Sequence, residues 1–137
     1  MNQKIDVYNY QNDLEWIDSH AHTWSDELTS DYTDIMERAW MSGISQIIEV
    51  GVDVPTSKLA SKLASTDHRI HAVCGIHPHD ADKFDQQHFD LCELANSGDF
   101  LAIGEIGLDF YRNLSPPEQQ YKAFKKQLEL ARISNLP

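Results

Sequence analysis

Ile17-Asp18-Ser19-His20-Ala21-His22 closes a short run, Leu14 to Ser19 and its extension, that reads as the first β-strand. Side chains two apart on a strand point the same way, so His20 and His22 present their imidazoles side by side. Neutral imidazole is the commonest metal-donating side chain, and a pair at i, i+2 is a ready pair of ligands. Far along the chain, Gly104-Glu105-Ile106-Gly107-Leu108-Asp109 sets Glu105 and Asp109 at the end of another apolar strand. Together the segments predict a hydrolytic metal site, of which this chain holds a part.

Working outward from that first strand, apolar runs and helical stripes alternate. Asp31 to Ser42 predicts a helix through Ile35, Met36, Ala39 and Trp40, stopped by Gly43 as glycine does just past a helix end. Ile44 to Val50 is rich in β-branched residues and predicts a second strand. Pro55 suits the next helix N-terminus, and that helix runs to about Ser65, burying Leu59, Ala60, Leu63 and Ala64. Ile70 to Ile76 predicts a third strand, and Gln86 to Asn96 a helix buried through Phe89, Leu91, Cys92 and Leu94. Phe100 to Ile106 predicts the fourth strand. The last helix starts with Ser115 as cap, Pro116 at the first helical position and Glu118 in a capping box. It carries Tyr121, Phe124, Leu128, Leu130 and Ala131.

The sum is an α/β chain of four strand-helix units over residues 14–137, preceded by a polar lead over residues 1–13. Strands that are short, nearly continuous apolar runs belong to a parallel sheet covered by helices. His20, His22, His77, His79, Glu105 and Asp109 all fall after a strand and before the next helix. That placement is the carboxyl-end rule of α/β sheets and of (β/α)₈ barrels. A full barrel needs about 250 residues and eight units; four units make the N-terminal half of a TIM barrel.

Composition narrows the class. The 137 residues suffice for one domain with a core, and 41% hydrophobic residues with five prolines exclude a disordered or collagen-like chain. A net charge of −11 argues against a broad basic surface for nucleic acid, though not against a nucleic-acid enzyme whose phosphate-facing charge is metal. Cys74 and Cys92 lack a C-x-x-C spacing and read as small buried hydrophobes. No stretch approaches about 18 apolar residues, and no basic region precedes an apolar one at the N-terminus, so the expected setting is cytoplasmic, with no membrane partner.

The individual residues leave alternatives open. Asp18 precedes the histidines and is placed to accept from an imidazole N–H. Glu105 sits in an apolar strand, where only a cation or hydrogen bonds offset its desolvation; it is a metal ligand, an ion-pair partner of Arg112, or an outward side chain. Gly104 and Gly107 beside it let backbone or ligand approach closely. Asp109 either bonds within the site or begins a turn. Arg112 either contacts phosphate bidentately or pairs with a surface acid. His77, beside Pro78 and His79, is a substrate-facing or supporting residue, or part of a rigid turn. His68, His71 and His88 read as surface or packing histidines.

Asp18-Ser-His-Ala-His22, Gly75-Ile-His-Pro-His79 and Ile103-Gly-Glu-Ile-Gly-Leu-Asp-Phe-Tyr-Arg112 resemble the signature segments of the TatD family of metal-dependent deoxyribonucleases. The helix from Ser115 through Gln119, Gln120, Phe124, Gln127 and Leu128 to Leu136-Pro137 is similar to the one that follows in that family. The His-x-His pair alone is shared with the wider amidohydrolase-like barrels. The resemblance implies a (β/α)₈ barrel, two divalent ions drawn from Mg²⁺, Mn²⁺ or Zn²⁺, and hydrolysis of phosphodiester bonds in DNA. It makes His20, His22 and Glu105 metal ligands, with Glu105 the catalytic bridge.

Two departures accompany the resemblance. The family's later ligands have no counterpart here, and Thr23-Trp24 follows the histidine pair where an aliphatic residue is more usual. The expectation is therefore an incomplete enzyme whose barrel is closed by a missing C-terminal half or by a homodimer. Two alternatives are an amide or ester hydrolase with the same histidine pair, and a non-catalytic half-barrel that binds metal or a partner protein.

Overall fold

The computed structural model describes residues 15–137, so the polar lead over residues 1–13, and Leu14, lie outside the described residues. In chain order the elements are β1 (Trp16–Ala21), α1 (Asp26–Thr29), α2 (Tyr32–Met41), β2 (Ile44–Val50), α3 (Val54–Ala64), β3 (Ile70–Cys74), a 3₁₀ segment (Pro78–Lys83), α4 (Phe84–Ala95), β4 (Phe100–Ile103) and α5 (Pro117–Ser134). The strands form one parallel sheet in the order β1-β2-β3-β4. Sequential parallel strands joined by helical crossovers are the repeating unit of a (β/α)₈ barrel, and four units make the expected half.

The core lies between sheet and helices. Val54 and Ala60 of α3, Cys74 of β3, Leu91 of α4, Ile103 of β4 and Leu130 of α5 belong to the larger cluster. Met36 of α2, Ile47 of β2 and Ile70 of β3 make the smaller one, with Ala39 and Trp40 packed against it. Gly43 ends α2 with a φ of 94°, a left-handed conformation that glycine adopts without a Cβ penalty. Asp53 caps α3 by accepting from the Thr56 N–H at 2.8 Å, one half of a capping box.

Several expected boundaries and faces shift. β3 ends at Cys74 and not at Ile76, because Ile76 leaves the ladder: its N–H donates to Gln127 Oε1 at 2.6 Å and its carbonyl accepts from Gln127 Nε2 at 3.0 Å. β4 ends at Ile103 and not at Ile106: the Gly104 N–H still reaches the Cys74 carbonyl of β3, but the Glu105 N–H leaves that strand and crosses to the Gly51 carbonyl. Helix α5 starts at Pro117, one residue late, with Pro116 at its cap. Ser115 is buried and donates instead to the His79 carbonyl at 2.7 Å. The sequence pattern predicts neither the short α1 nor the 3₁₀ segment.

Helix faces also turn. In α4 the buried positions are Phe84, Leu91 and Ala95, and Phe89 is 71% exposed. In α3 Leu59 is exposed while Val54, Ser57 and Ala60 are buried. In α5 the buried line is Gln120, Ala123, Gln127 and Leu130, leaving Tyr121 and Leu128 about half exposed.

The β4 edge already meets one further backbone group: Ile103 N–H donates to the Pro137 carbonyl at 3.0 Å.

Candidate metal centre

Three donors converge at the carboxyl ends of β1 and β4. His20 Nε2 lies 3.0 Å from His22 Nε2 and 3.2 Å from Glu105 Oε2, and His22 Nε2 is 3.9 Å from that oxygen. One ligand atom from each of these residues falls within 4.8 Å of the other two. Residues distant in sequence thus meet, because β1 and the loop after β4 both open at the same end of the sheet.

Hydrogen bonds around the three side chains set which nitrogens face one another. The Val50 carbonyl can only accept, so its 2.8 Å contact puts the proton on Nδ1 of His22 and leaves Nε2 with a lone pair facing the other donors. The Trp24 indole N–H donates to the same carbonyl at 3.0 Å. On the far side of Glu105, His77 Nε2 stands 3.5 Å from Oε1. His77 Nδ1 accepts the His79 backbone N–H at 3.1 Å, which places the His77 proton on Nε2, toward Glu105. Burial, the largest influence, lowers the pKa of His77, partly opposed by the Glu105 charge.

A cleft of about 730 Å³ opens above these groups, walled by His22, His77, His79, Glu105, Asp109 and Arg112 among others. A smaller cleft of about 330 Å³ surrounds His71 and Phe100 and contains none of them.

The remaining expected residues fall as follows. Asp18 Oδ1 accepts the backbone N–H of His20 at 3.1 Å; its carboxylate holds the main chain at His20 and not an imidazole. Asp109 Oδ2 meets His79 Nε2 at 2.6 Å, while Oδ1 accepts the N–H groups of Tyr111 and Arg112. The Arg112 N–H and then His79 hold the Asp109 carboxyl below the usual carboxylate range. Arg112 lines the cleft and, among the described residues, forms no ion pair with Glu105 or another acid.

Residues that sequence reasoning missed are the ones that brace this arrangement. Gln120 accepts the Asp109 N–H at 2.8 Å and donates to the Asp109 and Ser115 carbonyls, pinning the loop after β4. Gln127 does the same for Ile76. The signal was present as two glutamines seven apart on one helix face. Glu49 is fully buried and bound to Thr23. Gly75 lies so close to the Gly104 backbone that a Cβ there would come within 2.6 Å of it; the backbone beneath Glu105 therefore requires glycine.

A parallel strand-helix half-barrel with a histidine pair and a glutamate converging at its strand ends defines the class: a barrel segment whose strand ends bring together three side chains that could hold a metal ion. Residues 17–137 match the family model described as TatD related DNase, and the chain belongs to that family. It is 35% identical over 114 residues to a Salmonella typhimurium protein named 3'-5' ssDNA/RNA exonuclease TatD, covering 82% of this chain and 44% of that one. It is 36% identical over 123 residues to a Bacillus subtilis protein named as an uncharacterized metal-dependent hydrolase, YabD, covering 88% and 48%. Among solved structures, the TatD homologue YjjV of Escherichia coli K12 superposes with a TM-score of 0.73 at 26% identity, covering 89% of this chain and 48% of that one. A TatD-family hydrolase from Entamoeba histolytica superposes with a TM-score of 0.79 at 24% identity, covering 87% and 46%, and supports the fold. The chain spans a little under half the length of the curated relatives it matches.

Proposed function

We propose that this chain carries the N-terminal part of a metal-dependent nuclease site that hydrolyses phosphodiester bonds in DNA. The observation that carries the reading is the convergence of His20, His22 and Glu105 at the strand ends, in a chain of this family. The name of the Salmonella relative, an exonuclease of single-stranded DNA and RNA, supports a single-stranded substrate.

His20, His22 and Glu105 would hold the metal, Glu105 supplying carboxylate oxygen beside the two imidazoles. Histidine donors suit Mn²⁺ or Zn²⁺ better than Mg²⁺. Such ions supply Lewis acidity toward a phosphoryl oxygen and lower the pKa of water. The chain's own side chains do the positioning. His22 keeps Nε2 free because Val50 holds its other nitrogen. His77 faces the second oxygen of Glu105 at 3.5 Å. Asp109 holds the backbone that carries Arg112 to the cleft wall, where a guanidinium meets phosphate oxygens bidentately.

Closing the barrel requires further strands beside β1 and β4, and these come from a C-terminal half or from a second copy. Exposed Trp16 and Ile17 on β1 and Leu101 on β4 support a covering partner for the sheet. No helix among the described residues is long and apolar enough to cross a membrane. Cys74 and Cys92 are free thiols, in keeping with a cytoplasmic setting.

The test is hydrolysis of an end-labelled single-stranded oligonucleotide by the chain and by its Glu105→Ala variant. Cleavage that needs added Mn²⁺ or Mg²⁺ and disappears in the variant supports the reading. Metal bound by the three residues with no cleavage, even at high protein concentration, would make this a binding half-barrel instead.

A further inference from the structure

The histidine pair stands at the end of the most exposed strand of the sheet. β1 is an edge strand, most of its residues are exposed, and its pairing with β2 is irregular between Asp18 and Ala21, where His20 lies. A ligand pair on such a strand needs an anchor beyond the ladder, since loosely held donors lose geometry and affinity.

That anchor is visible on β2. Glu49 is 0% exposed, and its two carboxylate oxygens are both taken by Thr23, the residue that follows His22. Oε2 accepts the Thr23 N–H at 3.0 Å and Oε1 accepts the Thr23 hydroxyl. The next residue on β2, Val50, holds His22 and Trp24 through its carbonyl. Two adjacent residues of β2 thus grip the three consecutive residues that follow β1. Burying a carboxylate is costly, and desolvation raises the Glu49 pKa. A purely packing role would be met by an apolar side chain at no such cost.

We propose that Glu49 is a positioning residue for His22: by clamping Thr23 it keeps the His22 Nδ1–H on the Val50 carbonyl and Nε2 turned to the metal. The ligand assignment of His22 is the reading above, and this inference rests on it. The clamp itself does not depend on metal.

The test therefore uses two readouts on the full chain. The first is the tautomer of His22 in metal-free protein, read from long-range ¹H–¹⁵N correlations of its ring. The second is Zn²⁺ affinity by calorimetry. Glu49→Met keeps the volume and removes the clamp; it should shift His22 to mixed tautomers and weaken Zn²⁺ binding about tenfold or more. Glu49→Gln keeps both contacts, its carbonyl accepting the Thr23 N–H and its NH2 donating to the Thr23 hydroxyl oxygen, and should keep the wild-type tautomer, with affinity within about threefold. Glu49→Met with an unchanged His22 spectrum and unchanged affinity overturns the proposal. Should Glu49→Met fail to fold, Thr23→Val removes only the hydroxyl bond and should still weaken Zn²⁺ binding several-fold; wild-type values there overturn it as well. Absence of Zn²⁺ binding by the wild-type chain would remove the ligand reading of His22, and the tautomer comparison alone then decides the clamp.

Discussion

Asp109 divides its carboxylate between two tasks: one oxygen meets the His79 imidazole at 2.6 Å, and the other accepts the backbone N–H groups of Tyr111 and Arg112 at 3.0 and 2.9 Å. One side chain therefore ties the turn after β3 to the turn after β4, and fixes where Arg112 leaves the backbone. Removing it in Asp109→Ala should leave the sheet intact and free the loop. Amide exchange at Tyr111 and Arg112 should quicken by about tenfold or more while β2 and β3 amides keep their protection. Equal exchange in both proteins would show that the loop is held by Gln120 alone.

Gln127 is a second brace, and its loss should be felt as stability. In Gln127→Leu the buried N–H and carbonyl of Ile76 lose their partners. An unsatisfied buried polar group costs about 1–3 kcal/mol, so the variant should lose about 2–4 kcal/mol in urea unfolding. A shift below about 0.5 kcal/mol would mean that water reaches Ile76.

Burial pushes the Cys74 thiol up to about 12, and burial also raises Cys92, which is only half-buried. The thiolate is the reactive form. A disulfide reagent at pH 8 should modify Cys92 slowly and Cys74 only when the chain unfolds. Rapid labelling of both thiols in native protein would contradict the packing of β3 against the helices.

Acid stability should carry the mark of Asp67. Hydrogen bonds from the Arg69 side chain and backbone hold its carboxyl down at about 2. A folded-state value below the unfolded one, about 3.9, gives stability that is present above about pH 4 and is lost as pH falls toward 2. The pair is partly exposed, so the effect is small and salt-sensitive. Asp67→Asn should therefore flatten the fall in melting temperature between pH 4 and about 2. Parallel curves for the two proteins would assign the acid sensitivity to other carboxylates.

Much of this architecture is readable along the chain, because its signals are local. The β-branched run Ile44 to Val50 matches β2, Gly43 stops α2 where a left-handed residue is needed, and Pro55 opens α3. Side-chain alternation sets His20 and His22 on one face of β1 before any tertiary contact is considered. Repeated strand-helix units at this spacing leave little topology but a parallel sheet with its chemistry at one end.

Other features depend on groups that meet only in three dimensions. The buried face of α5 includes two glutamines, which a search for apolar stripes passes over, because their amides replace the backbone partners that Ile76 and Asp109 lack. β3 ends early for the same reason, since Gln127 from the helix layer takes Ile76 out of the ladder, whereas β4 ends where the Glu105 N–H crosses to the Gly51 carbonyl past the end of β2. Glu49 looks in sequence like a polar interruption of a strand, and only the return of β1 beside it shows a carboxylate filled by Thr23. Local periodicity and residue type thus determined the order of the four strands and their main helices, and the end of the sheet where His20, His22 and Glu105 stand. Tertiary structure decided which donors converge and what holds them, since hydrogen-bond satisfaction in a packed interior is a property of neighbours in space.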